Sequence, residues 1–107
     1  MKICVIGTGY VGLVTGTCMA DLGRSVVCID NDPEKLEKLY QNQSPFYEPG
    51  LSERIERNVT AGRLSFSADL SKAIAESDVI FIAVGTPQGS DGQADLSAVF
   101  SVGQSIL

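Results

Sequence analysis

The stretch Lys2-Ile3-Cys4-Val5-Ile6-Gly7-Thr8-Gly9-Tyr10-Val11-Gly12 decides the fold that this sequence predicts. It is an apolar run rich in Ile and Val, followed by glycines at the spacing G-x-G-x-x-G. The apolar run is typical of a strand buried on both faces, and the residues after Gly12 have helical spacing. The glycines therefore fall at a strand-to-helix turn, which is the context in which this spacing predicts a dinucleotide site.

Each glycine of the pattern has its own expected role. Gly7 permits the tight turn off the strand, and Gly9 lets the backbone approach a pyrophosphate because no Cβ stands in the way. Gly12 lets the helix pack close to the sheet, and Gly16 extends that contact one turn further on. The free N–H groups of the first helical turn would then face the phosphates. The helix dipole contributes only about 0.3 to 1 kcal/mol, so other contacts must supply most of the affinity.

An acidic residue marks the end of the next predicted strand. Ser25–Ile29 is a second β-branched run, and Asp30 follows it, about 20 residues beyond the glycines, as the motif requires. A carboxylate there can accept hydrogen bonds from the adenosine ribose hydroxyls and would repel a 2′-phosphate. The sequence therefore predicts NAD rather than NADP. Two alternatives stay open: the glycines form an ordinary loop, and Asp30 is a surface acid that caps the next helix.

Composition excludes several classes of partner. The chain has 107 residues and a net charge of -5, without a basic cluster, so we expect one domain that binds neither nucleic acid nor an anionic membrane. No apolar run reaches the length of a membrane span and no secretory signal is present, which favours the cytoplasm. Without histidine, we expect no metal site and no histidine-dependent catalyst. Cys4, Cys18 and Cys28 are expected to be buried small hydrophobic residues rather than disulfide partners.

Strands and helices alternate along the whole sequence. Beyond the elements above, we predict helices over 12–22, from Asp32 onward, over 51–61, after Asp69 and from Asp95, and strands over 64–66 and 78–84. This alternation predicts an α/β fold, a Rossmann-like parallel sheet with helices on both faces. The run over 78–84 is the most apolar, so we expect it in the middle of the sheet. Gly7, Asp30 and the tripeptide Gly85-Thr86-Pro87 all follow strands, which should bring them to one crevice.

Further motifs follow the glycine loop in order. They are Asp30 with Lys35, Ser44-Pro45-Phe46-Tyr47-Glu48-Pro49-Gly50-Leu51, Ser77-Asp78-Val79-Ile80-Phe81, Val84-Gly85-Thr86-Pro87, Asp91-Gly92 and Ala94-Asp95-Leu96. In this order and spacing, the chain resembles the N-terminal segment of the UDP-glucose/GDP-mannose dehydrogenase family over nearly all of its length. Phe46 stands where Ile is common in that family, a mild departure at an apolar position.

The resemblance implies roles for particular residues. Tyr10 and Val11 would contact the cofactor through the glycine loop, Asp30 and Lys35 would hold the adenosine ribose, and Thr86 would lie beside NAD. From spacing alone, Lys35 would instead be a solvated charge on a helix face. The family's catalytic Cys, Lys, Asn, Asp and Glu come from later segments, so no catalytic residue is expected among these 107.

The resemblance also implies a function for the whole protein. Residues 1–107 would be the NAD-binding domain of a longer, homodimeric enzyme that oxidises UDP-glucose to UDP-glucuronate with two NAD+. The nucleotide sugar would be held mainly by a second domain that this sequence lacks. GDP-mannose or a UDP-N-acetylhexosamine is the alternative substrate, and a non-enzymatic NAD(H)-binding domain is the alternative function.

Overall fold

The computed structural model describes residues 1–83, which form four strands and four helices. In chain order these are β1 (Lys2–Ile6), α1 (Tyr10–Asp21), β2 (Ser25–Ile29), α2 (Pro33–Tyr40), α3 (Leu51–Thr60), β3 (Leu64–Ser67), α4 (Leu70–Glu76) and β4 (Val79–Ile82). The predicted tripeptide Gly85-Thr86-Pro87 and the helix predicted from Asp95 lie outside the described residues.

The strands form a parallel sheet in the order β3-β2-β1-β4. Their carboxyl ends are level, because Ile6 is in register with both Ile29 and Ile82, and Ile29 is in register with Ser67. The chain runs outward from β1 through β2 to β3 and then returns to the other side of β1. This reversal is a topological switch point, where α/β sheets bind their ligands outside the carboxyl ends of the strands.

Helices cover both faces of the sheet, as predicted. Successive side chains of a strand point to opposite faces, so β1 contributes Ile3 and Val5 to one apolar cluster and Cys4 and Ile6 to another. The first cluster contains buried side chains from α1, α2 and α3, whereas the second contains Ala73 of α4. The α/β, Rossmann-like architecture is therefore confirmed.

Local sequence signals explain where two of the helices begin. Asp32 caps α2, since its side chain accepts a hydrogen bond from the backbone N–H of Glu34 at 3.0 Å, and Pro33 occupies the first helical position. Asp69 caps α4 in the same way, accepting from the N–H of Lys72 at 3.1 Å. Within residues 1–83, no helix has both the length and the apolar character that a membrane crossing requires.

Two expectations differ from the structure. Helix α1 begins at Tyr10 rather than at residue 12, because the extended backbone of Gly9 already serves as its N-cap. Cys18 is exposed rather than buried, since a helix turns by 100° per residue and this side chain points away from the face that packs on the sheet. Within residues 1–83, β4 pairs with β1 on one side, and Phe81 and Ile82 are exposed. The position of β4 in the middle of the sheet stays a prediction, because the chain after residue 83 lies outside the described residues.

Candidate dinucleotide-binding site

The glycine loop leaves open space at the end of β1. Gly7 has a φ of 105°, a conformation that favours glycine, and its N–H donates to the carbonyl of Ile29 at 2.7 Å. Gly9 has a φ of -70°, which any residue adopts, and a Cβ added there would meet no protein atom within 4 Å. The fold of residues 1–83 therefore does not require glycine at position 9. A ligand that approaches the backbone closely does require it.

Two further glycines bring α1 directly onto the sheet. A Cβ on Gly12 would overlap the carbonyl oxygen of Gly7, and one on Gly16 would lie 2.7 Å from Sγ of Cys28. The first turn of α1 contains no acidic residue, and its N-cap, Gly9, has no side chain to accept a hydrogen bond. Within residues 1–83, no side chain caps the N–H groups of this turn, in contrast to those of the aspartate-capped helices, so they can bind an anion.

Asp30 is joined to the glycine loop through Thr8. Its Oδ2 accepts hydrogen bonds from both the backbone N–H of Thr8 at 2.9 Å and the Thr8 hydroxyl at 2.6 Å. Its Oδ1 accepts from the N–H of Asp32 at 2.9 Å. The structure thus brings together the loop and the acid that the sequence places 22 residues apart. Sequence analysis gave Thr8 no role, because the motif leaves its position unspecified.

The surroundings of Asp30 keep its carboxylate charged. Burial raises the pKa of Asp30, but the hydrogen bonds from Thr8 and Asp32 and the positive charge of Lys35 lower it by more, so the pKa lies below its usual value. Lys35 is half-buried at the start of α2, close enough to act on this carboxylate electrostatically. The structure therefore places Asp30 and Lys35 close together at the carboxyl end of β2.

The predicted contact residues Tyr10 and Val11 are exposed in the first turn of α1, by 54% and 69%. The ring of Tyr10 lies 5.4 Å from that of Phe46, measured between centroids. The charge of Glu48 and a hydrogen bond to it raise the pKa of the Tyr10 hydroxyl. The proline-rich segment 44–50 therefore packs beside the glycine loop, a contact that no signal within either stretch predicts. Thr86, the remaining candidate, lies outside the described residues.

Taken together, these features define a dinucleotide-binding domain of the Rossmann type. The level strand ends, the open loop before α1 and the ionised acid after β2 are its distinguishing parts. Residues 1–107 match the description "UDP-glucose/GDP-mannose dehydrogenase family, NAD binding domain". The chain belongs to this family, and the prediction of NAD as the cofactor is confirmed.

Curated relatives and solved structures agree with this assignment. The chain is 53% identical over 107 residues to a UDP-glucose 6-dehydrogenase of Rhizobium meliloti (strain 1021), covering 99% of this chain and 24% of that protein. It is 51% identical over 105 residues to the UDP-glucose 6-dehydrogenase TuaD of Bacillus subtilis (strain 168), covering 98% and 23%.

Among solved structures, a ternary complex of GDP-mannose dehydrogenase from Pseudomonas aeruginosa superposes with a TM-score of 0.95 at 39% identity, over 99% of this chain and 24% of that one. A UDP-glucose dehydrogenase from Pyrobaculum islandicum gives a TM-score of 0.93 at 42% identity, over 98% and 24%. The chain thus spans about a quarter of the length of the proteins that it matches.

Proposed function

We propose that residues 1–107 are the NAD-binding domain of an enzyme that oxidises UDP-glucose to UDP-glucuronate with two NAD+. The single observation that supports the site is the ionised carboxylate of Asp30, which Thr8 ties to the glycine loop. The substrate is proposed because relatives named UDP-glucose 6-dehydrogenase are 53% and 51% identical to this chain. The boundaries of the domain are part of the proposal.

Each residue of the site has a proposed task. Gly7 and Gly12 hold the turn and the helix in place, and Gly9 gives the pyrophosphate access to the N–H groups of the first turn of α1. Asp30 accepts a hydrogen bond from the adenosine ribose, with the charge of Lys35 beside it. When bound, NAD+ would supply the hydride acceptor for oxidation of the sugar alcohol.

The remaining proposed contacts with the cofactor come from Tyr10, Val11 and Thr86. Tyr10 and Val11 stand exposed at the mouth of the loop, and Tyr10 is held by Phe46 and Glu48. Thr86 is proposed to lie beside NAD from the family resemblance alone.

The same resemblance supports a homodimer and a cytoplasmic location for the complete enzyme, with the nucleotide sugar bound mainly outside these residues. Light scattering on the complete enzyme would measure the mass of the assembly.

Calorimetric titration with NAD+ and NADP+ tests the cofactor site. We expect binding of NAD+ alone and at least about tenfold weaker binding after Asp30→Ala, since hydrogen bonds to a charged group contribute about 1.5 to 3 kcal/mol. Glu37→Ala, on the exposed side of α2, is the matched acidic control and should bind as the parent does. Equal binding of NADP+, or full binding by Asp30→Ala, would contradict the proposal.

Turnover of the complete enzyme tests the substrate. We expect NADH formation with UDP-glucose at a ratio of two NADH per sugar, because the oxidation of an alcohol to a carboxylate removes four electrons. The structural similarity to a GDP-mannose dehydrogenase, with a TM-score of 0.95, keeps GDP-mannose as the second candidate. A higher kcat/KM for GDP-mannose or a UDP-N-acetylhexosamine would replace UDP-glucose, and no turnover with any of them would favour a non-enzymatic NAD(H)-binding domain.

A further inference from the structure

Thr8 is a buried residue whose role the glycine motif does not define. The pattern G-x-G-x-x-G accepts any residue at its second position. Yet the side chain of Thr8 is 0% exposed, and both its donors reach a single atom, Oδ2 of Asp30, at 2.9 and 2.6 Å. These two bonds connect the loop after β1 with the end of β2. The hydroxyl is therefore part of the environment of the carboxylate rather than of the loop surface.

The contacts of Thr8 determine which oxygen of Asp30 is open. An ionised carboxylate has about four acceptor positions, two on each oxygen. Thr8 occupies both positions on Oδ2, and the N–H of Asp32 occupies one on Oδ1. Within residues 1–83 this leaves one free position, on Oδ1. The carboxyl group cannot rotate away from this arrangement without breaking its hydrogen bonds to Thr8.

We infer that Thr8 is a positioning residue for the selection of the cofactor: its hydroxyl fixes the carboxylate of Asp30 so that Oδ1 faces the adenosine ribose. This inference rests on the proposed role of Asp30 as the ribose acceptor. A fixed carboxylate accepts a ribose hydroxyl without losing rotational freedom on binding. It also keeps its negative charge where the 2′-phosphate of NADP would come.

A binding cycle between Thr8 and the ribose tests this coupling. The dissociation constants of NAD+ and of an analogue whose adenosine ribose lacks both hydroxyls are measured by calorimetry on the complete protein. For the wild type we expect removal of the hydroxyls to weaken binding about tenfold or more. For Thr8→Val, a variant of similar shape without the hydroxyl, we expect the same removal to cost less than about threefold. Thr8→Ser keeps the hydroxyl and should restore the full tenfold effect.

A purely structural role would give a different result. In that case Thr8→Val would weaken NAD+ and the analogue by the same factor, and this outcome would overturn the inference. If the wild type itself bound both ligands equally, the proposed ribose role of Asp30 would fail first, and the inference with it. Circular dichroism verifies folding, and Thr8→Ala, which removes the hydroxyl without placing a methyl group against the carboxylate, replaces Thr8→Val in the cycle if the valine variant unfolds.

Selection against NADP+ gives a second, independent measurement. In Thr8→Val the carboxylate loses the hydroxyl bond to Oδ2 and keeps the bond from the backbone N–H, so it can turn further from a 2′-phosphate. The ratio of the NADP+ and NAD+ dissociation constants should therefore fall by about threefold or more. Thr8→Ser should leave that ratio unchanged. An unchanged ratio in Thr8→Val would contradict the inference even if NAD+ binding were weaker, because a disturbed conformation of the glycine loop would weaken the binding of both cofactors equally.

Discussion

Substituting alanine at two glycines of the same loop should separate binding from stability. At Gly9 an added Cβ would have open space among residues 1–83, whereas at Gly12 it would overlap the backbone carbonyl oxygen of Gly7 and lie 3.1 Å from Cβ of Ala83. We therefore expect Gly9→Ala to impair NAD+ binding without unfolding the protein, and Gly12→Ala to destabilise the protein itself.

The magnitudes follow from the geometry of each position. At Gly9, the loss of a favourable N-cap costs about 0.5 to 1 kcal/mol, and the smaller entropy of the unfolded chain returns about 0.4 to 1 kcal/mol, so stability should be nearly unchanged. At Gly12, alanine gains about 1 kcal/mol of helix propensity, but overpacking against backbone costs about 3 kcal/mol. The expected net loss at Gly12 is about 2 kcal/mol.

Urea unfolding followed by circular dichroism measures the stability of each variant, and calorimetry measures its affinity for NAD+. Gly9→Ala should retain its unfolding midpoint and lose at least about fivefold in affinity, since an intruding methyl group costs about 1 to 3 kcal/mol in a close contact. A stable Gly12→Ala variant would refute the close approach of α1 to the loop. Normal NAD+ binding by Gly9→Ala would refute the use of the open space by a ligand.

Three further predictions concern stability. Gly16→Ala places a Cβ 2.7 Å from Sγ of Cys28; it should cost about 1 kcal/mol in urea unfolding, and Cys28→Ala in the same protein should recover part of that loss because it removes the sulfur. The fully buried Asn58 donates a hydrogen bond to Asp21 and accepts one from the guanidinium of Arg63, so Asn58→Ala should cost about 2 kcal/mol of stability. Arg57→Ala removes an exposed guanidinium from an ion pair with Asp21 and should cost under about 1 kcal/mol. Because the pKa of folded Asp30 is lowered, its contribution to stability is present above the unfolded pKa of about 3.9 and is lost as the pH falls through the folded pKa. The stability difference between wild type and Asp30→Asn should therefore be constant above about pH 5 and shrink as the pH is lowered through the folded pKa.

Much of the fold could be predicted because its signals are local. Apolar runs mark β1 and β2, and Asp32 followed by Pro33 marks the start of α2. The exposure of Cys18 could also have been predicted, because the buried positions of α1 already define the face that packs on the sheet. The pairing of β4 with β1 could not, since pairing partners are set by topology rather than by the composition of the strand.

The site was predictable in its components but not in its connections. The spacing of the motif identified the glycines and Asp30, and each lies at the carboxyl edge of the sheet. The hydrogen bonds of Thr8 to Asp30 and the contact of Tyr10 with Phe46 depend on how distant segments meet in three dimensions. No local pattern specifies such contacts, because each residue of a pair would fit its own helix, strand or loop equally well if the other residue were absent.

The register of the sheet explains why these connections form. Ile6 of β1 and Ile29 of β2 are paired, so the residues that follow them, Gly7 and Asp30, leave the sheet side by side. The glycine loop can therefore reach the carboxylate of Asp30 through a single residue, Thr8. A shift by one residue would move the acid about 3.3 Å along the strand and break hydrogen bonds of 2.6 and 2.9 Å. It would also turn every side chain of β2 to the opposite face and unpack both apolar clusters. The packing of the core and the geometry of the cofactor site therefore depend on the same register, and a variant that disturbs one should disturb the other.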